Sequence, residues 1–144
     1  MRSEPLGSGL ALASAAMAGE RKIVQAADAP PAIGPYSHAV SFGGLLFCSG
    51  QIPLDPSSGE LVGETPAEQT RQCLQNLRAV CVAAGTKLQR AVRLTIYTTE
   101  LAAFAEINEV YGEFFAEAPP ARAAVGVAAL PKGASVEIDA IVAL

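Results

Sequence analysis

Arg122 and Glu137 are the two residues whose types and setting most suggest chemistry. Each stands among small apolar residues, in Pro120-Ala121-Arg122-Ala123-Ala124-Val125 and in Ala134-Ser135-Val136-Glu137-Ile138. A guanidinium offers paired N–H donors that match a carboxylate. A glutamate in apolar surroundings can take up a proton and return it. Together they could hold a small carboxylate and move protons at the atom beside it. Spacing alone leaves a second reading open, a structural arginine and a solvated strand glutamate, because structural charges mimic sites. The two segments read as short strands joined by the turn Pro131-Lys132-Gly133, a hairpin with Arg122 at its opening and Glu137 early in its return.

Other elements must position that pair. Val136, Ile138, Ala140 and Val142 alternate with Glu137, Asp139 and Ile141, so Glu137 points away from the face that helices should cover. Val92-Arg93-Leu94-Thr95-Ile96-Tyr97-Thr98 alternates in the same way, and its Arg93, Thr95 and Tyr97 should share Glu137's side. Thr65-Pro66-Ala67-Glu68 opens a helix, with Thr65 as N-cap and Glu68 as its reciprocal partner. That helix runs through Leu74, Leu77, Val80 and Cys81 to Gly85. A second helix, capped by Thr98 or Thr99, carries Leu101, Phe104, Ile107, Val110, Tyr111, Phe114 and Phe115 as its apolar stripe. Asn108 lies near that stripe, where it either bonds to the sheet or reaches a site. Upstream, Gly43-Gly44 joins two strands, and Arg21 to Gln25 reads as a short edge strand. Gly50 either ends its strand or offers its N–H to a ligand. The proline-rich run Ala29 to Ser37 is a loop ending near Tyr36, a residue for which inward packing is the simpler expectation. The order is β-β-β-α-β-α-β-β, an α+β domain over residues 20–144 with helices on one face of the sheet.

Composition narrows the function. Charged residues make up only 17%, too few to cover a small monomer, which points to a homo-oligomer that covers apolar surface. A net charge of −4 without a basic run speaks against nucleic acid as a partner. Cys48, Cys73 and Cys81 form no paired framework and fit a reducing compartment. His38 is the single histidine, so no metal cluster or Ser-His-Asp set is expected, and His38 itself reads as structural or exposed. Residues 1–19, rich in Ala, Gly and Ser, read as a disordered extension too broken to span a membrane. That leaves a cytoplasmic protein as the expectation, with an organelle-targeting role for the extension open.

Several motifs follow one another in order along the chain: Ile33-Gly34-Pro35-Tyr36-Ser37, Ser49-Gly50-Gln51-Ile52, Asp55-Pro56 and Ile107-Asn108-Glu109-Val110-Tyr111. Pro120-Ala121-Arg122 with Val125, Leu130-Pro131-Lys132-Gly133 and Val136-Glu137-Ile138 complete the set. By these motifs the chain from Arg21 to Leu144 resembles the Rid family of enamine/imine deaminases, also called the YjgF or L-PSP family. The resemblance implies a chorismate-mutase-like fold, a six-stranded mixed sheet with two helices on one face, and a homotrimer with sites between subunits. It implies hydrolysis of 2-imino acids such as 2-aminoacrylate/2-iminopropanoate and 2-iminobutanoate to 2-oxo acids and ammonia, without metal or cofactor. By position, Arg122 and Glu137 would be catalytic, Arg122 holding the substrate carboxylate and Glu137 handling water and protons. Tyr36 would close over the site, and Ser49, Gly50, Asn108 and Ala124 would line it. Ala124 stands where some relatives carry cysteine, so a thiol role is absent and only its backbone N–H remains. Two other readings stay beside this one: a non-catalytic trimer that binds small carboxylates, and an endoribonuclease or translation inhibitor. The acidic charge argues against the latter.

Overall fold

The computed structural model describes residues 19–144; the extension expected over 1–19 lies, except for Gly19, outside the described residues. The strands are β1 (Lys22–Val24), β2 (Ala39–Phe42), β3 (Leu45–Gln51), β4 (Ala91–Thr98), β5 (Ala121–Gly126) and β6 (Val136–Ala143). The helices are α1 (Pro66–Ala83) and α2 (Phe104–Phe114). The α+β class and the mixed six-stranded sheet are as expected. Strand order is β1-β2-β3-β6-β4-β5, antiparallel throughout except for the parallel pair β4 and β5. That pair is joined through α2, the kind of crossover a parallel neighbour requires.

The expected hairpin between the last two strands does not form. β5 pairs with one edge of β4, while β6 takes the other edge of β4 and also pairs with β3. The central slot suits β6 better. Its Val136, Ile138, Ala140 and Val142 are all buried, and both of its backbone edges are hydrogen-bonded. A hairpin with the short, Ala-rich β5 would leave β3 and β4 with open edges, and unpaired buried backbone is unfavourable.

Both helices lie on one face. Thr65 caps α1 as read from sequence: its hydroxyl accepts the Glu68 amide at 3.2 Å, and the Glu68 carboxylate accepts the Thr65 amide at 3.3 Å. Gly85 follows the helix at φ 83°, a conformation that disfavours a side chain. Leu74, Leu77, Val80 and Cys81 of α1 meet Ile107, Val110 and Phe114 of α2 and the inward residues of β3, β4 and β6 in one core. Each large aliphatic side chain so buried contributes roughly 1.5–3 kcal/mol. Cys48 and Cys73 join them as free thiols. The start of α2 departs from expectation. Thr98 is still paired within β4, and its hydroxyl accepts the Glu100 amide; a 3-10 turn, Leu101–Ala103, then precedes α2.

Among the described residues no helix covers the other face of the sheet. Phe42, Phe47 and Val125 stand on it 47%, 42% and 40% exposed, among Arg93, Thr95, Tyr97, Glu137 and Asp139. An apolar open face of this kind must meet water or a neighbour.

Candidate active site

Glu137 lies on the open face of the central strand, half-buried. Opposite it, the β3–β6 pairing slips. Cys48 faces Ala140 and Gln51 faces Ile138, so Ser49 and Gly50 stand against Asp139 alone. This is a β-bulge, a device that re-aims a strand locally. It brings Gly50 against the Glu137 side chain so closely that a Cβ on Gly50 would collide with Glu137 Oε2 and lie 3.0 Å from its Cδ. Gly50 is thus a glycine for space; its φ lies outside the left-handed region. Beside it, a cavity of about 250 Å3 is lined by Glu137, Ser49 and Gly50 together with Ile33, Tyr36, Ile52 and Pro131.

The loop that carries Tyr36 is tied down from two sides. Ser49 donates through Oγ to the Ser37 carbonyl at 2.6 Å and through its amide to the His38 carbonyl at 3.0 Å. His38 is buried. Its Nδ1 accepts the Ala26 amide at 2.8 Å, so Nε2 carries the proton and donates to the Pro30 carbonyl at 2.7 Å. His38 is therefore structural, one of the two readings open from sequence. Tyr36 does not pack inward; its ring is 41% exposed at the pocket, and its hydroxyl accepts the Ile33 amide at 3.2 Å. Burial holds the Glu137 carboxyl above its ordinary pKa, and the negative charge of Asp139 adds to the rise. Asp139 accepts a hydrogen bond from the Tyr97 hydroxyl at 3.1 Å.

Arg122 stands elsewhere. Its partner across the ladder is Leu94, a buried residue of the helix-covered face, and its side chain runs over α2. Nη1 donates to Asn108 Oδ1 at 2.7 Å. The guanidinium carbon lies 4.7 Å from the Tyr111 ring centroid and 5.2 Å from that of Phe104. Asn108 thus bonds to a side chain carried by the sheet, and that side chain is Arg122, so the contact leaves both of its expected roles open. Ala124, two residues along β5, shares Arg122's side and is exposed.

The chain therefore brings the sequence-derived site residues together as two groups. Tyr36, Ser49, Gly50 and Glu137 surround the pocket on the open face. Arg122, Asn108 and Ala124 lie on the helix-covered side at the β5 edge. Glu137 faces Tyr97 and Arg122 faces Leu94 along β4. Two strand spacings and three residues put their Cα atoms roughly 14 Å apart. Their side chains leave the sheet in opposite directions, so within one chain they do not share a small substrate. Ile33, Ile52 and Pro131 are pocket residues that the sequence reading did not single out. Each belongs to a motif it did quote, but a lone apolar residue in a loop carries no signal of pocket or core.

A single mixed sheet, with both described helices on one face and a pocketed carboxylate on the other, defines a small α+β protein. Residues 26–144 match the family described as Endoribonuclease L-PSP, and the chain belongs to that family, the Rid or YjgF family. It is 53% identical over 117 residues to a RutC family protein, y4sK, of Sinorhizobium fredii, covering 81% of this chain and 93% of that one. It is 46% identical over 121 residues to a 2-iminobutanoate/2-iminopropanoate deaminase of Bos taurus, covering 84% and 88%. The crystal structure of E. coli TdcF with bound serine superposes with a TM-score of 0.81 at 41% identity, covering 85% of this chain and 98% of that one. Among the described residues no helix is long and apolar enough to cross a membrane.

Proposed function

We propose that this protein hydrolyses small 2-imino acids to 2-oxo acids and ammonia, in a homotrimer whose sites lie between copies. One observation carries the reading: a half-buried Glu137 carboxylate, with no salt-bridge partner among the described residues, faces an apolar pocket, while Arg122, bonded to the neutral Asn108 and to no carboxylate among those residues, stands on the opposite side of the sheet. A head-to-tail ring brings the β5 edge of one copy to the pocket of the next. The exposed Phe42, Phe47 and Val125 supply apolar surface for such an assembly. The relatives named 2-iminobutanoate/2-iminopropanoate deaminases support the substrate class. Serine, bound in the TdcF relative, has the same carboxylate beside a nitrogen-bearing carbon.

Arg122 grips the carboxylate and fixes the imine carbon near Glu137. Glu137 takes a proton from water as the water oxygen bonds to that carbon, and the C=N electron pair moves to nitrogen, which takes one proton from solvent. The resulting carbinolamine collapses: the hydroxyl proton passes to solvent, C=O forms, the C–N bond breaks and ammonia departs with the proton Glu137 returns. Such acid–base work supplies roughly 10²–10⁴-fold. The pocket of Ile33, Ile52 and Pro131 suits a short aliphatic side chain.

The test generates 2-aminoacrylate with a pyridoxal-phosphate dehydratase and follows pyruvate. No acceleration by the wild-type protein, or an Arg122→Ala variant equal to it, sinks the reading. Binding of 2-oxobutanoate without turnover would favour the carboxylate-binding alternative. Mixing and reassembling Arg122→Ala with Glu137→Gln tests the shared site. Each mixed ring then regains one intact site, so random assembly returns about a quarter of wild-type activity. A mixture no more active than its parts would rule out a site shared between copies.

A further inference from the structure

We propose that Phe104 and Tyr111 are positioning residues, an aromatic bracket on α2 that holds the Arg122 guanidinium in place for a carboxylate. The inference deepens the proposed function and rests on Arg122 as the carboxylate clamp. β5 is the outermost strand of the sheet, and its residues around Arg122 are small and largely exposed. Nothing in β5 itself fixes so long a side chain. Phe104, Asn108 and Tyr111 follow one another at i, i+4 and i+7 along one face of α2. The two rings hold the cation at 5.2 and 4.7 Å while Asn108 takes one Nη1 proton at 2.7 Å.

The choice of partners has a consequence for binding. A carboxylate beside Arg122 would have to be displaced by the substrate. Two ring faces and a neutral amide restrain the guanidinium without cancelling its charge. Two of the acidic side chains of α2 are engaged with α1 instead: Glu113 pairs with Arg71 at 2.8 Å, and Glu106 accepts the Ala67 amide at 3.0 Å. Among the described residues no carboxylate pairs with Arg122. The Tyr111 hydroxyl, buried, has no hydrogen-bond partner among them either, so it is the ring that Tyr111 contributes here. A guanidinium ordered beforehand loses less freedom when its ligand arrives, which strengthens binding without touching the chemical step.

Phe104→Leu keeps apolar bulk and removes the π face. NMR titration with 2-oxobutanoate should then show Kd raised roughly 3- to 30-fold, the range of an exposed to a desolvated cation–π contact. KM for the imine should follow, with kcat within about twofold. Phe104→Tyr should recover most of the loss, and in an Arg122→Gln background Phe104→Leu should add nothing. Should Phe104→Leu not fold, Phe104→Met makes the same comparison. Wild-type affinity in the ring-less variant, or an equal loss in the Arg122→Gln background, overturns the bracket, as does a wild-type protein that fails to bind 2-oxobutanoate. Wild-type binding without imine turnover sinks the deaminase reading and leaves the bracket standing. Turnover unaffected by Phe104→Leu sinks the bracket alone.

Discussion

Gly50→Ala separates folding from catalysis more cleanly than any change to a charged residue. The backbone at Gly50 is one an alanine can adopt, so no conformational strain follows. The added Cβ would nevertheless overlap Glu137 Oε2 and come within 3.0 Å of Cδ and 3.2 Å of Cγ. The glutamate is the flexible partner and must swing away. Pushing it off its rotamer costs about 0.5–1.5 kcal/mol. Replacing glycine within a strand returns roughly 0.5–1 kcal/mol through reduced chain entropy. The net change in stability should lie within about 1 kcal/mol, a shift of a few degrees in Tm. Catalysis has no such compensation. Displacing a reacting group by about 1 Å can cost roughly 10²-fold. We therefore expect kcat for 2-iminopropanoate to fall about a hundredfold, with KM within about threefold because the proposed carboxylate clamp, Arg122, does not touch Gly50. The assay is pyruvate release from dehydratase-generated 2-aminoacrylate, beside thermal unfolding of the same sample. A Gly50→Ala protein with kcat within about threefold of wild type would refute the idea that this glycine exists to seat Glu137. Gly112→Ala is the control: in α2, with open space around it, it should stabilise by roughly 0.5–1 kcal/mol and leave kcat unchanged.

Glu137→Gln should lower kcat roughly 10²–10⁴-fold in the same assay. Because burial raises the Glu137 pKa in the folded protein, the fold favours the neutral acid; that contribution is full below the unfolded pKa and is lost as pH rises through the folded one. Glu137→Gln should therefore raise Tm at neutral pH, and an unchanged or lower Tm would contradict the shift. The acid limb of kcat/KM should fall above the ordinary glutamate range, because Glu137 must be ionised to act as a base. Asp139→Asn removes the charge that adds to this rise and should move the limb to lower pH, as a pH–rate series would reveal. Arg122→Lys keeps the charge but loses the two-pronged fit and should raise KM roughly ten- to a hundredfold. Thr65→Ala removes one side of the α1 capping box and should lower stability by about 1 kcal/mol on denaturant titration, with activity per folded molecule unchanged.

What the sequence revealed follows from how local each determinant is. The capping box at Thr65 and Glu68, the Gly43-Gly44 turn and the inward alternation of Val136, Ile138, Ala140 and Val142 are encoded within a few residues, and each holds in the structure. The partner of β6 is not local. Strand pairing depends on which edges the remaining chain leaves open, so a short turn between β5 and β6 suggested a hairpin where β4 intervenes. The bulge at Ser49 and Gly50 was hidden for the same reason, since it exists only as a slip against β6. Phe104 and Tyr111 have helical spacing and apolar rings whether they serve a core or a cation. Both rings do pack on the core, and only the arrival of Arg122 from β5 shows that they flank a cation as well. Correcting the hairpin changes the chemistry as well as the topology. A clamp and a base on adjacent strands could act within one copy; on opposite faces of one sheet they need two. In the proposed assembly the low charge and the separation of Arg122 from Glu137 have one physical cause: an open sheet face and a β5 edge that another copy would complete.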